Sequence, residues 1–272
     1  MCFLHAYRNP THERQAKDLL RDAGYEGPIL LSSDVCPEIR EFERAATTVA
    51  NAYLSPRMAS YLRNFETRLR KASIDAPFQL FSSYGGRLTV HAAERRPVEM
   101  LECGGAAGVM VAAAMAQALK WPLALSFDMG GTTAKAALIK DGQPQLTRSY
   151  EVARMARFVS GSGLPISASA IDLIEIGAGG GSLAAVDALG LITVGPESAG
   201  GDPGPACYGR GGEKPTVADA DLILGYLDPE DFSGGQLTLD VEAARLAVDE
   251  HIARPLGISI EDAAKGIHDI VV

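Results

Sequence analysis

The run Phe127-Asp128-Met129-Gly130-Gly131-Thr132-Thr133-Ala134-Lys135 decides how this chain is read. Upstream of it, Leu123-Ala124-Leu125-Ser126-Phe127 is a short apolar strand, and Ala136-Ala137-Leu138-Ile139 is a second, closed by the hairpin signal Asp141-Gly142. A carboxylate is therefore delivered from a strand straight into a glycine turn lined with hydroxyls. Glycine lets successive backbone N–H groups face one concavity and threonine adds donors, a chemistry suited to phosphate. Asp128 would then hold Mg2+ through water or position an attacking oxygen. The same residues also make a plain glycine hairpin in which Asp128 caps its own turn, and spacing alone leaves both readings open. Lys135, a lone lysine on the second strand, reads as surface charge.

The totals bound what surrounds this turn. With 272 residues, 47% hydrophobic and 22% charged, the chain is globular and long enough for one or two domains. Its 25 basic and 34 acidic residues give a net charge of -9, and Arg68-Leu69-Arg70-Lys71 is the one basic cluster that stands out, so no nucleic-acid partner is expected. Cys2, Cys36, Cys103 and Cys207 form no CxxC pair and read as reduced thiols of a cytoplasmic protein. The longest apolar run, Ala106 to Leu119, is too short to span a bilayer, so no membrane partner is expected.

Along the chain, His12 to Ala23 has helical spacing and Pro28 to Ser33 reads as a strand. Pro37 to Ala72 is a long amphipathic stretch with Phe42, Ala46, Val49, Tyr53, Tyr61, Leu62, Phe65 and Leu69 on its apolar face, kinked or divided at Pro56. Phe78 to Ser82 reads as a strand, Ala106 to Lys120 as an alanine-rich helix and Ile171 to Ile176 as a further strand. Gly177 to Gly212 is rich in glycine and proline and reads as loop, a size of loop that is usually functional or closely packed. Thr216 with Asp219, and Ser259 with Asp262, are capping signals for two later helices. The second keeps helical spacing through Val271, which predicts a truncated or split polypeptide.

Other motifs are weaker. Glu175-Ile176-Gly177-Ala178-Gly179-Gly180-Gly181-Ser182 follows a strand and could let a nucleotide approach the backbone, or could be a tight strand-to-helix turn; it fails GxGxxG, and no GxxxxGK[ST] occurs. Ser198 to Gly209 reads as a packed surface loop in which Asp202 and Cys207 are site candidates. Cys103-Gly104-Gly105 precedes the alanine-rich helix, yet His5, His12, His91, His251 and His268 offer no partner motif for a cysteine nucleophile and no HExxH pair for a metal.

Taken in order, these segments resemble the hydantoinase A/oxoprolinase family, which includes N-methylhydantoinases, 5-oxoprolinases and subunits of acetone and acetophenone carboxylases. Glu41-Phe42-Glu43-Arg44 through Thr47-Thr48, Asn51-Ala52-Tyr53 and Pro56 is similar to the family's EYER-S-TT-NAY-P helix. The Asp128 turn is similar to its DMGGT motif, Ile176 to Ser182 to IGAGGGS, Val194 to Gly212 to VGP-SAGA-PGPACYGRGG, and Pro215 to Leu222 to PTVTDANL. The chain departs from the pattern at Cys103-Gly104-Gly105, where many members carry Ser-Gly-Pro, and at Thr133-Ala134-Lys135, where many carry Ser-Thr-Asp. Ser160 to Ile166 with Ile171 to Glu175 is closer to the carboxylase-like and lactam-opening members.

The resemblance implies an α/β chain with part of the actin-like, sugar-kinase-like (ribonuclease H-like) ATPase fold, in which two glycine hairpins hold the phosphates of ATP with Mg2+. Residues 1–272 would be one hydantoinase A-type domain, with a possible subdivision near 121, and the Asp128 turn would be the second hairpin. A first DxGGT turn is absent from this sequence, which again predicts a central fragment carrying half of the phosphate grip. The implied roles are Asp128 as catalytic and metal-binding residue, Gly130, Gly131, Thr132 and Thr133 as holders of phosphate oxygens, and Gly179, Gly180 and Gly181 as the place where the nucleotide is admitted. The implied activity is ATP-dependent ring opening of a cyclic amide (hydantoin, 5-oxoproline or a lactam), within an oligomer that contains a hydantoinase B-type subunit. Two alternatives stand beside it: a subunit of an ATP-dependent ketone carboxylase, and a non-catalytic fragment serving as an interaction domain.

Overall fold

The computed structural model describes residues 1–155 and 161–271, so Ser160 of the stretch likened to the lactam-opening members lies outside the described residues. The fold is α/β. It divides into two compact units, Met1–Ser126 with Ala137–Leu173, and Phe127–Ala136 with Ile174–Val272.

The first unit begins with helix α1 (Thr11–Asp22). The strand expected over Pro28 to Ser33 does not form; residues 28–31 are irregular and Ser32–Val35 is a single helical turn. The cause is local side-chain capture. Buried Glu13 accepts from Ser32 Oγ at 2.5 Å and from the Ser33 amide at 3.0 Å, while the Ser32 amide donates to Met1 O at 2.9 Å and Leu30 O accepts from the Met1 amino group at 2.6 Å, so the backbone groups of this segment are engaged outside any ladder. Helix α2 (Glu41–Lys71) runs through Pro56 without a break. Ser55 Oγ donates to Asn51 O at 2.7 Å across the turn that Pro56 weakens, and buried Asn51 and Leu62 anchor the helix on either side of it.

The apolar face expected for α2 holds in part. Ala46 and Leu62 are buried and Phe65 and Leu69 half-buried, but Phe42, Val49, Tyr53 and Tyr61 are exposed, at 70%, 65%, 66% and 58%, and Arg44, Thr47, Thr48 and Asn51 are buried beside them. Burial there follows hydrogen bonding as much as apolarity. Each nitrogen of the Arg44 guanidinium has an acceptor, Ser32 Oγ, Glu38 O and Phe3 O at 3.1, 2.9 and 2.6 Å, and Asn51 clamps Arg95 O and the Val98 amide. Helix α3 (Cys103–Ala118) starts earlier than expected, so Cys103-Gly104-Gly105 form its first turn. Its small face, Ala106, Val109, Ala113 and Ala116, packs on Ala137, Ile139 and Ile171.

The strands of the deciding run are β1 (Leu123–Met129) and β2 (Ala134–Lys140), separated by the turn Gly130–Thr133 as the sequence predicts. The apolar stretch expected from Ile171 to Ile176 splits between two partners: Ala170–Ile171 pairs with 146–147, a register that the Asp172 amide continues to Gln145 O at 2.9 Å, and β3 (Ile174–Ile176) is a separate strand. Strand β3 pairs antiparallel with the start of β2, Ile174 opposite Ala136 and Ile176 opposite Ala134, giving the sheet order β3-β2-β1.

The second unit holds the region expected to be loop. It contains a hairpin of β4 (Ser182–Val186) and β5 (Ile192–Ser198), turned by Asp187, whose Oδ1 accepts the Leu189 and Leu191 amides at 2.8 and 2.9 Å. Glycine and proline content concealed these strands, and the side-chain-capped turn joins them. Helices α4 (Val217–Ile223), α5 (Val241–Val248) and α6 (Ile260–Val271) follow. The capping box of Thr216 with Asp219 forms, and Ser259 Oγ accepts the Asp262 amide at 3.0 Å, both as the sequence predicts. Ala184, Val194, Val217, Ala220, Val248, Ile252, Ala264 and Ile267 make the core of this unit, and Met129 packs against it. Each fully buried Val or Ile contributes about 1.5–3 kcal/mol.

Candidate functional site

At the end of β1 Met129 packs on the core of the second unit, and Asp128 beside it is exposed. The turn then closes tightly, with the Gly130 amide donating to Thr133 O at 2.9 Å. Gly130, Gly131 and Thr132 are exposed and Thr133 is half-buried. The glycine loop 177–182 lies directly against this turn. The Gly180 amide donates to Gly130 O at 3.0 Å, and the Gly181 amide donates to Gly131 O at 2.7 Å. Asp128 and residues 130–133 are thus brought together with residues 179–181 inside one compact unit.

This contact orients the turn. A trans peptide unit points its C=O and its N–H in opposite directions. With the Gly130 and Gly131 carbonyls aimed at the glycine loop, the amides of Gly131 and Thr132 must point away from it. Among the described residues neither amide has a hydrogen-bond partner. The result is two outward N–H donors, the Thr132 hydroxyl and the Asp128 carboxylate on one exposed turn.

The same contacts revise why glycine stands at 179 and 181. A Cβ at Gly179 would sit 2.5 Å from Gly130 O and 2.8 Å from both Thr132 C and Thr133 N, and one at Gly181 would sit 2.8 Å from Gly131 O. Close packing on the hairpin accounts for both. Gly180 is different, since its Cβ would meet Ala218 Cβ at 3.8 Å and Gly130 O at 3.9 Å, ordinary contacts. The loop is further tied to the start of α4, where the Ala218 amide donates to Gly180 O at 2.7 Å, and to the end of β5, where the Ala199 amide donates to Gly181 O at 2.8 Å.

The remaining sequence candidates fall elsewhere. Cys207 is fully buried, and burial, reinforced by the Asp219 carboxylate, pushes its thiol well above the ordinary range, which removes it as a nucleophile. Its amide donates to Asp219 Oδ1 at 2.7 Å, while Asp219 Oδ2 accepts from the Thr216 amide and Thr216 Oγ1, each at 2.7 Å. Asp202 is exposed on its loop and Cys103 lies in the first unit. Lys135 is paired with Glu175 across the β2–β3 ladder at 3.9 Å. Sequence reasoning missed Ser182 and Ser198, which hold the glycine loop and the turn; the one signal for Ser182 was its place at the end of the glycine run.

For a metal, no group of three His, Cys, Asp or Glu side chains converges among the described residues. Hydrated Mg2+ bound with a nucleotide uses one or two carboxylates, waters and phosphate oxygens. An exposed Asp128 beside outward amides fits that donor set.

The model of the hydantoinase/oxoprolinase family matches residues 44–272. The chain belongs to that family. Among its relatives is an uncharacterized protein of Methanocaldococcus jannaschii, 42% identical over 268 residues, with 97% of this chain and 39% of the relative covered. The alpha subunit of caprolactamase from Pseudomonas jessenii is 38% identical, covering 99% of this chain and 37% of the subunit. The crystal structure of that ATP-dependent caprolactamase is similar with a TM-score of 0.75. A nucleotide-free structure of acetone carboxylase, described in terms of ATP-dependent acetone carboxylation, has a TM-score of 0.80 at 28% identity over 98% of this chain and 37% of that one. The chain therefore spans about two fifths of the length of the curated relatives it matches. Among the described residues no helix is long and apolar enough to cross a membrane.

Proposed function

We propose that this chain carries a nucleotide-phosphate grip of an ATP-dependent enzyme that activates a carbonyl oxygen, with cyclic-amide ring opening as the reaction. The observation that carries the reading is the exposed turn at Asp128, where two backbone amides have no partner among the described residues and Thr132 and Asp128 are exposed beside them in sequence. Gly131 and Thr132 would bind phosphate oxygens through their amides, and the Thr132 and Thr133 hydroxyls would add donors. Gly130 shapes the turn. Asp128 would hold Mg2+ through water or orient the in-line oxygen. Gly179, Gly180 and Gly181 would stand behind the turn, with Gly180 the one at which a nucleotide could come close to the backbone. Transfer of phosphate to the amide oxygen supplies what water alone lacks, a leaving group in place of a resonance-stabilised carbonyl.

On this reading residues 1–272 are a hydantoinase A-type segment of an actin-like, sugar-kinase-like ATPase fold, and a hydantoinase B-type subunit completes the enzyme in an oligomer. Hydantoin, 5-oxoproline and lactams are the substrate class, and the similarity to caprolactamase favours a lactam. A second reading, ketone carboxylation, is favoured by the TM-score of 0.80 to acetone carboxylase. Calorimetric titration of Mg-ATP into the chain and into Asp128→Ala tests the site. Affinity is expected to fall at least about tenfold in the variant, and equal affinity removes Asp128 from the assignment. ATP turnover with a lactam, against turnover with a ketone plus labelled bicarbonate, separates the two reactions.

A further inference from the structure

Ser182 closes the glycine loop on itself. Its Oγ accepts the Gly179 amide at 2.9 Å, and its own amide donates to Gly179 O at 2.9 Å. The side chain is 1% exposed. Between these two anchors sit Gly180 and Gly181, the residues whose amides hold the Gly130 and Gly131 carbonyls. Across the β4–β5 pair Ser182 stands opposite Ser198, whose Oγ donates to Gly131 O at 3.4 Å and accepts the Gly200 amide at 3.2 Å. A chain of hydrogen bonds thus runs from the Ser182 hydroxyl through the loop to the two carbonyls that decide where the turn's free amides point.

We infer that Ser182 is a positioning residue: its hydroxyl fixes the glycine loop so that the Gly131 and Thr132 amides face a nucleotide's phosphates, an inference that rests on the nucleotide reading above. The hydroxyl is needed because the Gly179 amide is buried, and a buried N–H without an acceptor is costly enough to rotate its own peptide. Rotation at 179 moves the next two amides. Once they leave the Gly130 and Gly131 carbonyls, the turn is free to flip those peptides and lose its outward donors. Threonine supplies the same acceptor and alanine supplies none.

The test compares the full chain with Ser182→Ala, Ser182→Thr and the core variant Val248→Ala, using hydrogen exchange of the Gly130, Gly180 and Gly181 amides and titration with Mg-ATP. Ser182→Ala is expected to speed exchange at those amides about tenfold and to weaken Mg-ATP about tenfold, the effect of one lost hydrogen bond. Ser182→Thr restores both, and Val248→Ala lowers the melting temperature while leaving the three amides and the affinity near wild type. Unchanged exchange in Ser182→Ala, or equal changes in Val248→Ala, overturns the inference. A wild-type chain that takes no Mg-ATP overturns the nucleotide reading, and amide exchange still decides whether Ser182 sets the turn. Should Ser182→Ala not fold, Ser182→Cys, a weaker acceptor of similar size, is measured in its place.

Discussion

Two adjacent glycines in this chain, Gly179 and Gly180, should respond to alanine in sharply different ways. At Gly179 the added Cβ falls 2.5 Å from Gly130 O, about 0.9 Å inside the 3.4 Å at which ordinary contact begins, and 2.8 Å from two more backbone atoms of the hairpin. No rotamer change can relieve an overlap with backbone. Overpacking of this kind costs about 1–3 kcal/mol, and three simultaneous clashes place Gly179→Ala at the upper end. At about 2–4 °C per kcal/mol, the melting temperature should fall by about 6–12 °C. Gly180→Ala meets only ordinary contacts and its φ lies outside the left-handed region, so it should melt within about 1 °C of wild type. Scanning calorimetry of the two variants decides the matter, with Mg-ATP titration as a second readout. If Gly180→Ala keeps its fold but loses nucleotide affinity, the loop admits the nucleotide at that position. If both variants melt together, or in the reverse order, the glycine loop does not rest on the Asp128 turn and the geometry argued above fails.

Two further outcomes follow from buried carboxylates. Asp219→Asn places an amide NH2 against donors that now point at carboxylate oxygens, from Cys207 N, Thr216 N and Thr216 Oγ1, and should lower stability by about 2–4 kcal/mol in urea unfolding, while Asp202→Asn on its exposed loop changes little. Burial alone would raise the Glu13 carboxyl, but hydrogen bonds from Ser32, Ser33 and Phe3 outweigh it and hold the group below its ordinary value of 4.5. A carboxyl depressed in the folded state stabilises above its unfolded value and loses that contribution as pH falls through the folded one, so the stability gap between wild type and Glu13→Gln should be constant near neutrality and shrink below about pH 4.5. A gap that widens on acidification would contradict the sign.

The legible parts of the sequence were those where local chemistry and tertiary role coincide. The Asp128 turn, its flanking strands and the Thr216 cap were readable because glycine, apolar alternation and a Thr/Asp pair each have one strong local meaning. Helix α2 was legible at Ala46 and Leu62 but not at Phe42, Val49 and Tyr53, which are exposed, because Arg44 and Asn51 are buried as well and find backbone partners distant in sequence such as Phe3 O and Arg95 O. The strand expected over Pro28 to Ser33 failed for a similar reason, since Glu13 reaches across from α1 to claim Ser32 and Ser33. Strand β5 was hidden by its own Gly195 and Pro196, and β4 by the glycine run that leads into it. For the glycine loop close approach was evident from composition, and at 179 and 181 the protein's own hairpin stands at that distance.

That last point bears on how an acidic chain could hold a polyanion at all. A net charge of -9 gives a field that opposes nucleotide approach, and Lys135, on the strand leaving the turn, is committed to Glu175. At physiological salt, interactions between exposed charges fade beyond about 8 Å, so distant repulsion is muted and the grip must come from groups at contact distance. In the proposed site those groups are backbone amides. A lysine cluster tolerates loose placement because Coulomb attraction falls slowly with distance, whereas an N–H donor weakens steeply as its angle departs from linear. A phosphate site made of amides therefore depends on whatever fixes the peptide planes. Here that is the loop from Gly179 to Ser182, tied by hydrogen bonds to the turn, to β5 and to the first turn of α4. The residues that hold the turn in place are as necessary to the site as those that would touch the ligand.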